Sequence, residues 1–583
     1  MVANCRNDRF SGRPAALVAA AVLAFGSCLL LVTPAPAEEP DLGPNVLILD
    51  PSMPSAEIQK TLNAVFHEQE HSQFGGGRHA YLFKPGTYDL DVNLGFYTQA
   101  LGLGTSPGDV VIRGSVHSEA DWMRGNATCT FWRGAENLTV QPTSPTPINF
   151  AVSQGTSFRR VHVHGHLNLW DGGWSSGGFL ADSRVDGRVN SGTQQQWLSR
   201  NTEWRQWLGA NWNMVFVGAD NPPTEPWPGK PYTVISETPR IREKPYMVQH
   251  GRGGLAVRVP ALVASASRGV SWSGGEKGGE TVSIERFLVA QAGKDTAATM
   301  NSALANGKHL LLTPGVYHLD EPIQVTRPGT VVLGLGIATL VPDRGTPAMV
   351  IDDVDGASIC GIMIDAGRQK SPVLLQVGRA GKAGHSTNPT LLADVFCRVG
   401  GASPGAADAC LVIDSDDVIG DNLWIWRADH GAGAKWDVNR AKNGLIVNGD
   451  DVTIYGLFVE HFQEYQTLWN GENGRVFFYQ CELPYDAPTQ EAWRHDGVNG
   501  YAAYKVASGV TRHEARGLGV YGVFLHSPTK SENAIEAPEA PGVAIHHVIS
   551  VWITGRPGTE ITHIRSGKGP AVNTSRRTAL TDD

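Results

Sequence analysis

The chain has 583 residues, too many for one hydrophobic core, so at least two domains are expected. Hydrophobic residues make up 41% and charged residues 18%, with 68 Gly and 35 Pro, a turn-rich composition that favours β architecture over helical bundles. The net charge of −9, the pI near 6.1 and the lack of a long basic run argue against nucleic acid as a partner.

Residues 1–37 read as a signal peptide. Arg6, Arg9 and Arg13 precede an apolar run from Ala15 to Val32, and Ala35-Pro36-Ala37 offers a small-residue cleavage site. An uncleaved membrane anchor is the alternative. No later stretch is long and apolar enough to cross a bilayer, so the mature protein is expected to be secreted, extracellular and free of membrane.

The next signal is an internal repeat. A short helical pattern around Ile58–Phe66 is followed by Leu82-Phe83-Lys84-Pro85-Gly86-Thr87-Tyr88-Asp89-Leu90-Asp91 and then Gly102-Leu103-Gly104. The same order returns in a helical pattern around Ala297–Ala305, Leu311-Leu312-Thr313-Pro314-Gly315-Val316-Tyr317-His318-Leu319-Asp320, and Gly334-Leu335-Gly336. Repetition of helix, strand, Pro-Gly turn, strand and Gly-Leu-Gly implies duplication of a whole domain. The Gly/Ser-rich run Ser265–Gly279 suits a connection between the copies. The expected division is a first domain over 38–264, a linker over 265–284, a second domain over 285–560 and a tail over 561–583.

Within the first domain Asn137–Val140, Phe158–His164 and Phe179–Val185 look like strands. Within the second a finer repeat aligns Ile359-Cys360-Gly361-Ile362-Met363-Ile364-Asp365 with Ile454-Tyr455-Gly456-Leu457-Phe458-Val459-Glu460. Val476–Glu482 fits the same frame one repeat later. Short alternating strands bounded by Gly, Asn and Asp turns, at about 20–25 residues per repeat, describe coils of a parallel β-helix. A propeller is the runner-up, but its blades need longer four-stranded repeats. The expected fold is all-β, with two tandem right-handed parallel β-helices of the pectate-lyase-like kind, each begun by a short capping helix.

Seven cysteines are present, and Cys129, Cys360, Cys397, Cys410 and Cys481 follow Ala37. This sparse, odd set is no disulfide scaffold; Cys397 and Cys410 are close enough in sequence to pair, with buried thiols as the alternative.

Glu460 and Glu482 hold equivalent positions on consecutive strands. Positions one coil apart stack about 4.8 Å apart in their backbones. Two carboxyls so placed do not ionise together easily, so one pKa rises and that group can serve as an acid. Glycosidic hydrolysis needs such a proton donor for the leaving oxygen. The competing reading is a pair of solvated surface glutamates; against it, Glu482 sits in Cys481-Glu482-Leu483-Pro484-Tyr485-Asp486, among desolvating residues. Sixteen tryptophans add a second hint. Trp170, Trp174, Trp204, Trp207, Trp436, Trp469 and Trp493 flank loops, and exposed aromatic faces pack well on sugar C–H faces, although burial in a core is the commoner role. Trp424 and Trp426 flank Ile425, which places one of them in a core.

Other patterns carry less. His162, His164 and His166 alternate along one strand face and could bind a metal, but no carboxylate is patterned with them. The pairs Asp416-Asp417 and Asp450-Asp451 suit calcium less well than turn capping. The Gly-Leu-Gly pieces lack a dinucleotide fingerprint's spacing.

Several segments resemble glycoside hydrolase family 55: Phe83–Asp89, Ser191–Asn201 with its Gln194-Gln195-Gln196-Trp197, Asn211–Val217, Leu312–Asp320, Trp424–His430, Tyr455–Trp469 and Tyr479–Asp486. The resemblance covers residues 42 to 560. It implies side-by-side β-helices and exo-acting, inverting, metal-independent hydrolysis of β-1,3-glucan. On that resemblance Glu482 matches the general acid, Glu460 a second glutamate that tunes it or joins a proton relay, and Gln154 and Ser176 the residues that seat the water. Trp170, Trp174, Gln195, Trp436, Trp469 and Tyr485 are the expected substrate contacts. No cofactor or metal is expected, and one copy of the chain suffices. A polysaccharide lyase acting on uronic acids, or a non-catalytic glycan-binding rod, are the rival readings; the lyase would want a calcium cluster or a cationic pocket, neither of which is patterned.

Overall fold

Two stacks of parallel strands account for most of the chain in the computed structural model, which describes residues 40–251, 253–275, 278–379 and 384–581. The expected signal peptide lies outside the described residues. In the first stack, strands Val46–Leu49, His79–Phe83, Thr98–Gly102, Arg133–Gln141, Ser157–Val163, Phe179–Ala181, Gln196–Arg200, Asn213–Val217 and Tyr232–Ile235 follow one another in parallel. The expected strand Phe179–Val185 is two strands, because Asp182 turns the chain with φ 48° before Arg184–Asn190 begins.

In the second stack successive strands alternate between two sheets, the geometry of a β-helix. One sheet runs from Phe287–Ala290 through Ile419–Arg427, Thr453–Glu460, Gly474–Glu482 and Arg512–Phe524 to Gly542–Gly555. The other runs from Ile323–Val325 through Ala441–Val447 and Thr467–Trp469 to Glu560–Arg565. Val, Ile, Leu and Ala fill the interior.

The duplicated motif does the same work twice. Helix α1 (Ser55–Gln69) follows the first strand of its stack, and helix α2 (Ala297–Ala305) follows the first strand of the other. The Thr296 hydroxyl caps α2 by accepting from Thr299 N. Tyr88 donates to the Leu49 carbonyl (2.8 Å) and Tyr317 to that of Ala290 (2.7 Å), in each case the last residue of the opening strand.

One position per coil bends each long strand. Gly361, Asp394, Asn422, Gly456, Phe478, Gly517 and His547 stack in register and all have φ between 52° and 74°. Left-handed backbone suits Gly and Asn. Because the bend residue breaks strict alternation, Ile454, Leu457 and Val459 face the core while Tyr455, Phe458 and Glu460 face out.

Two boundaries differ from expectation. Residues 561–581 are built into the fold: Glu560–Arg565 continues one sheet, and Thr578–Thr581 runs antiparallel to Gly542–Gly555, covering that strand's free edge. The linker region is also built. Tyr246–His250, Gly254–Val259 and Glu280–Ser283 form an antiparallel sheet, and Leu262–Val263 pairs with Ile241–Arg242. Cys397 and Cys410 are buried free thiols, so they do not pair.

The stacks meet along their outer faces through a shared apolar layer that includes Phe131, Trp132, Phe179 and Leu198 on one side and Trp424, Trp426, Tyr455 and Phe458 on the other. Ion pairs cross it. Buried Arg159 reaches Asp394 (2.8 Å) and Asp421 (2.6 Å), and buried Arg200 reaches Asp421 (2.9 Å) and Glu243 (2.7 Å).

Candidate active site

The outward column beside the bend carries the chemistry. Arg398, Trp426 and Glu460 lie in register on successive coils. The next pairing, read to Phe458↔Gln480, extends to place Glu482 above Glu460, and Glu482 is in register with Tyr521. Facing this column, the first stack offers residues just before three consecutive strands: Gln154 before Ser157–Val163, Ser176 before Phe179–Ala181, and Gln195 before Gln196–Arg200. Together they enclose a cavity of about 250 Å³ between the stacks. Its walls include Cys129, Gln154, Ser176, Gln195, Trp424, Trp426, Asp429, His430, Glu460, His461, Glu482 and Tyr485.

The two glutamates live in different surroundings. Glu460 is buried and receives three donors: Gln154 Nε2 (2.8 Å), Gln480 Nε2 (2.6 Å) and Trp424 Nε1 (2.8 Å). Burial raises its pKa, while the neighbouring His461 and the Trp424 and Gln480 donors pull it back. Glu482 receives no side-chain donor among the described residues. Burial, then the charges of Glu460 and Asp429, push it well above the usual carboxylate range. Both carboxyls are raised, Glu482 the further, so Glu482 is the member of the pair that holds a proton more readily.

A polar chain leads away from Glu460. Ser176 Oγ donates to Gln154 Oε1 (2.8 Å), and Gln154 donates onward to Glu460. Ser176 is fixed by its own N–H donating to Ser153 Oγ (3.0 Å), and Ser153 by donating to the Ala127 carbonyl (2.7 Å). On the opposite wall, burial draws the His430 imidazole down, but the hydrogen bond to Asp429 (2.9 Å) and the neighbouring Cys129 raise it to about 10. Arg427 clamps Asp486 through two bonds of 2.9 and 2.7 Å, which sets the loop carrying Tyr485; the Tyr485 ring packs 4.4 Å from that of His461.

Of the expected site residues, the cavity brings together Glu460, Glu482, Gln154, Ser176, Gln195 and Tyr485. Trp174 stands two residues from Ser176 and is 54% exposed, outside the cavity lining. Trp170 lies against Gly192, also outside the lining. Trp436 is half-buried against the second core and Arg427, not in the cavity. Trp469 is fully buried inside the second stack beside Tyr504 and His513, because its strand belongs to the sheet away from the junction. Trp204 and Trp207 are buried in the first core, and Trp493 in the second.

Trp424 and Trp426 correct the expectation that one of them is core. Residues two apart on a strand share a face, so both turn to the junction while Ile425 turns inward. Sequence reading gave no role to Trp424, Gln480, Asp429, His430, His461 or Cys129; the register of Trp426 with Glu460 was the available signal.

Known proteins share this fold. The LAM55 pectate lyase-like domain model matches residues 287–482. An exo-β-1,3-glucanase of Streptomyces sp. (strain SirexAA-E / ActE) is 47% identical over 542 residues, covering 91% of this chain and 88% of the relative. The structure of sacteLam55A from Streptomyces sp. SirexAA-E superposes with a TM-score of 0.90 at 44% identity, covering 93% of this chain and 99% of its own. A variant of that protein in complex with glucose also gives a TM-score of 0.90 at 44% identity, covering 94% of this chain and all of its own. With that identity sustained over nearly the whole length, the chain belongs to glycoside hydrolase family 55.

Proposed function

We propose that this protein is an exo-acting β-1,3-glucanase that removes glucose from a chain end with inversion at the anomeric carbon. The observation that carries the reading is the unequal glutamate pair in a cavity between the two stacks. Phe131 and Trp424 meet at 4.7 Å on one wall, and Val523 and Ile553 belong to the lining as well. A cavity of about 250 Å³ is smaller than the roughly 300–1,000 Å³ of sites for drug-sized ligands, which suits one terminal sugar ring.

In this reading Glu482 donates its proton to the glycosidic oxygen as the bond breaks. Ser176 and Gln154 hold the attacking water. As water adds to the anomeric carbon, it gives a proton to Ser176. Ser176 passes its own to Gln154 Oε1, and Gln154 releases one from Nε2 to Glu460. An adjacent coil places Glu460 too close to Glu482 to be the direct base across the ring, which is why the relay is needed. The Asp429–His430 pair supplies hydrogen-bond partners for sugar hydroxyls, and Tyr485 an aromatic face. One copy of the chain supplies every residue of the site, which supports action as a monomer. Export through residues 1–37 brings it to an extracellular polysaccharide.

The test is incubation of the chain from Glu38 onward with laminarin in EDTA, followed by NMR during the first turnovers. Glucose appearing as the α-anomer is the expected result. Mixed oligosaccharides from early times would contradict the exo reading, and β-glucose would contradict inversion. Unsaturated, ultraviolet-absorbing products from uronic-acid glycans would point instead to a lyase.

A further inference from the structure

On the outer face of the first stack, away from the cavity lining, two histidines meet a carboxylate from the next coil. His162 and His164 lie on strand Ser157–Val163 and just after it, with ring centroids 4.1 Å apart. Register pairs Arg184 with His162 and Val185 with Val163, which brings Asp186 beside His164. The carboxylate that the sequence pattern lacked is thus supplied by the neighbouring coil. Asp186 Oδ1 lies 2.8 Å from His162 Nε2, and Oδ2 lies 2.6 Å from His164 Nδ1. Among the described residues, these are the metal-capable side chains whose ligand atoms all fall within 4.8 Å of one another. His166 stands apart because its Nδ1 accepts from Arg188 N (2.9 Å).

We propose that His162, His164 and Asp186 form a surface site for a divalent transition metal of the zinc class, which staples two coils of the first β-helix. Two imidazoles and one carboxylate form a borderline donor set, which suits Zn²⁺, Ni²⁺ or Cu²⁺ and not Ca²⁺ or Mg²⁺. Tetrahedral zinc with bonds of about 2.0–2.2 Å sets its ligand atoms roughly 3.3 Å apart, so each histidine–carboxylate contact opens by less than an ångström, and the ligand atoms already lie within 4.8 Å of one another. The side chains of His164 and Asp186 are 44% and 46% exposed, which leaves an approach for the ion and a fourth position for water. The site is structural and takes no part in glucan hydrolysis, so EDTA leaves turnover intact.

The experiment is calorimetric titration of metal-stripped protein with ZnCl₂, and separately with MgCl₂, beside melting curves with and without Zn²⁺. Wild type is expected to bind one Zn²⁺ per chain and no Mg²⁺, with a higher Tm in Zn²⁺. H164A and D186N are expected to bind Zn²⁺ at least tenfold more weakly and to lose the Tm rise, while H166A binds like wild type. H164A and D186N are exposed substitutions and H166A a half-buried one, and laminarin hydrolysis reports that each has folded. Wild type that takes up no Zn²⁺ would overturn the proposal. So would H164A and D186N binding like wild type, or H166A losing the site.

Discussion

At the scale of the residue, the difference between Glu460 and Glu482 is one of hydrogen-bond supply. Three donors converge on Glu460, and none of the described side chains donates to Glu482. A positioned acid contributes about 10²–10⁴ in rate, so E482Q should lower kcat on laminarin by that factor with little change in KM, measured by glucose release. The same substitution has a stability consequence whose sign follows from proton uptake. The folded-state pKa of Glu482 is raised, so between the unfolded value and the folded one the native state binds the extra proton, and stability falls as pH rises. E482Q removes that penalty. It should therefore be more stable than wild type to urea at pH 7, and the gap should close near pH 4, below the range of the shift. Glu460 raises Glu482 through its charge, so in E460Q the alkaline limb of the residual kcat/KM profile should move to lower pH. An unmoved limb would mean that the two carboxyls are not coupled.

At the scale of the element, the bend ladder decides which residues face the junction. Gly456 has φ 74°, and an added Cβ would come within 3.1 Å of Leu198 and 3.2 Å of Phe179 across the junction. Left-handed backbone costs a side chain roughly 1–2 kcal/mol, so G456A should lose about that much in chemical denaturation. Phe478 and Asn422 accept the same backbone one coil either side, so the cost there is already absorbed by the fold. The ladder also explains what was legible in the sequence. The frame shared by Ile359–Asp365 and Ile454–Glu460 is the coil repeat, with Gly at the bend, and it carried the fold and the stacked glutamates together. Trp469 was misread because a short strand beside a loop looks the same on either sheet; only the coil topology shows that its sheet faces away from the junction. Gln154, Ser176 and Gln195 stack one coil apart, each in a turn before its strand, but coils of unequal length in the first stack hid that period. They were readable through family resemblance, not through pattern. The contact of Gln154 with Glu460 was invisible to pattern because it joins the two stacks across 306 positions of sequence.

At the scale of the whole molecule, the site exists only because two β-helices are held side by side. Arg159 and Arg200 share Asp421 in the buried layer between them, and Asp394 receives Arg159 and Lys244. Removing one member of such a cluster strands its partners without water. R159M should cost about 3–5 kcal/mol in denaturant unfolding and lower activity with it, because Gln154 and Glu460 belong to different stacks. A loss under 1 kcal/mol would mean that the apolar layer alone aligns the stacks. The account rests most heavily on Glu482 delivering a proton to the leaving oxygen within that junction. The direct measurement compares wild type and E482Q on laminarin and on a dinitrophenyl β-glucoside, whose leaving group departs without protonation. The account predicts a loss of about 10²–10⁴ on laminarin and near-normal cleavage of the activated glucoside. Equal losses on the two substrates, or none on either, would contradict it.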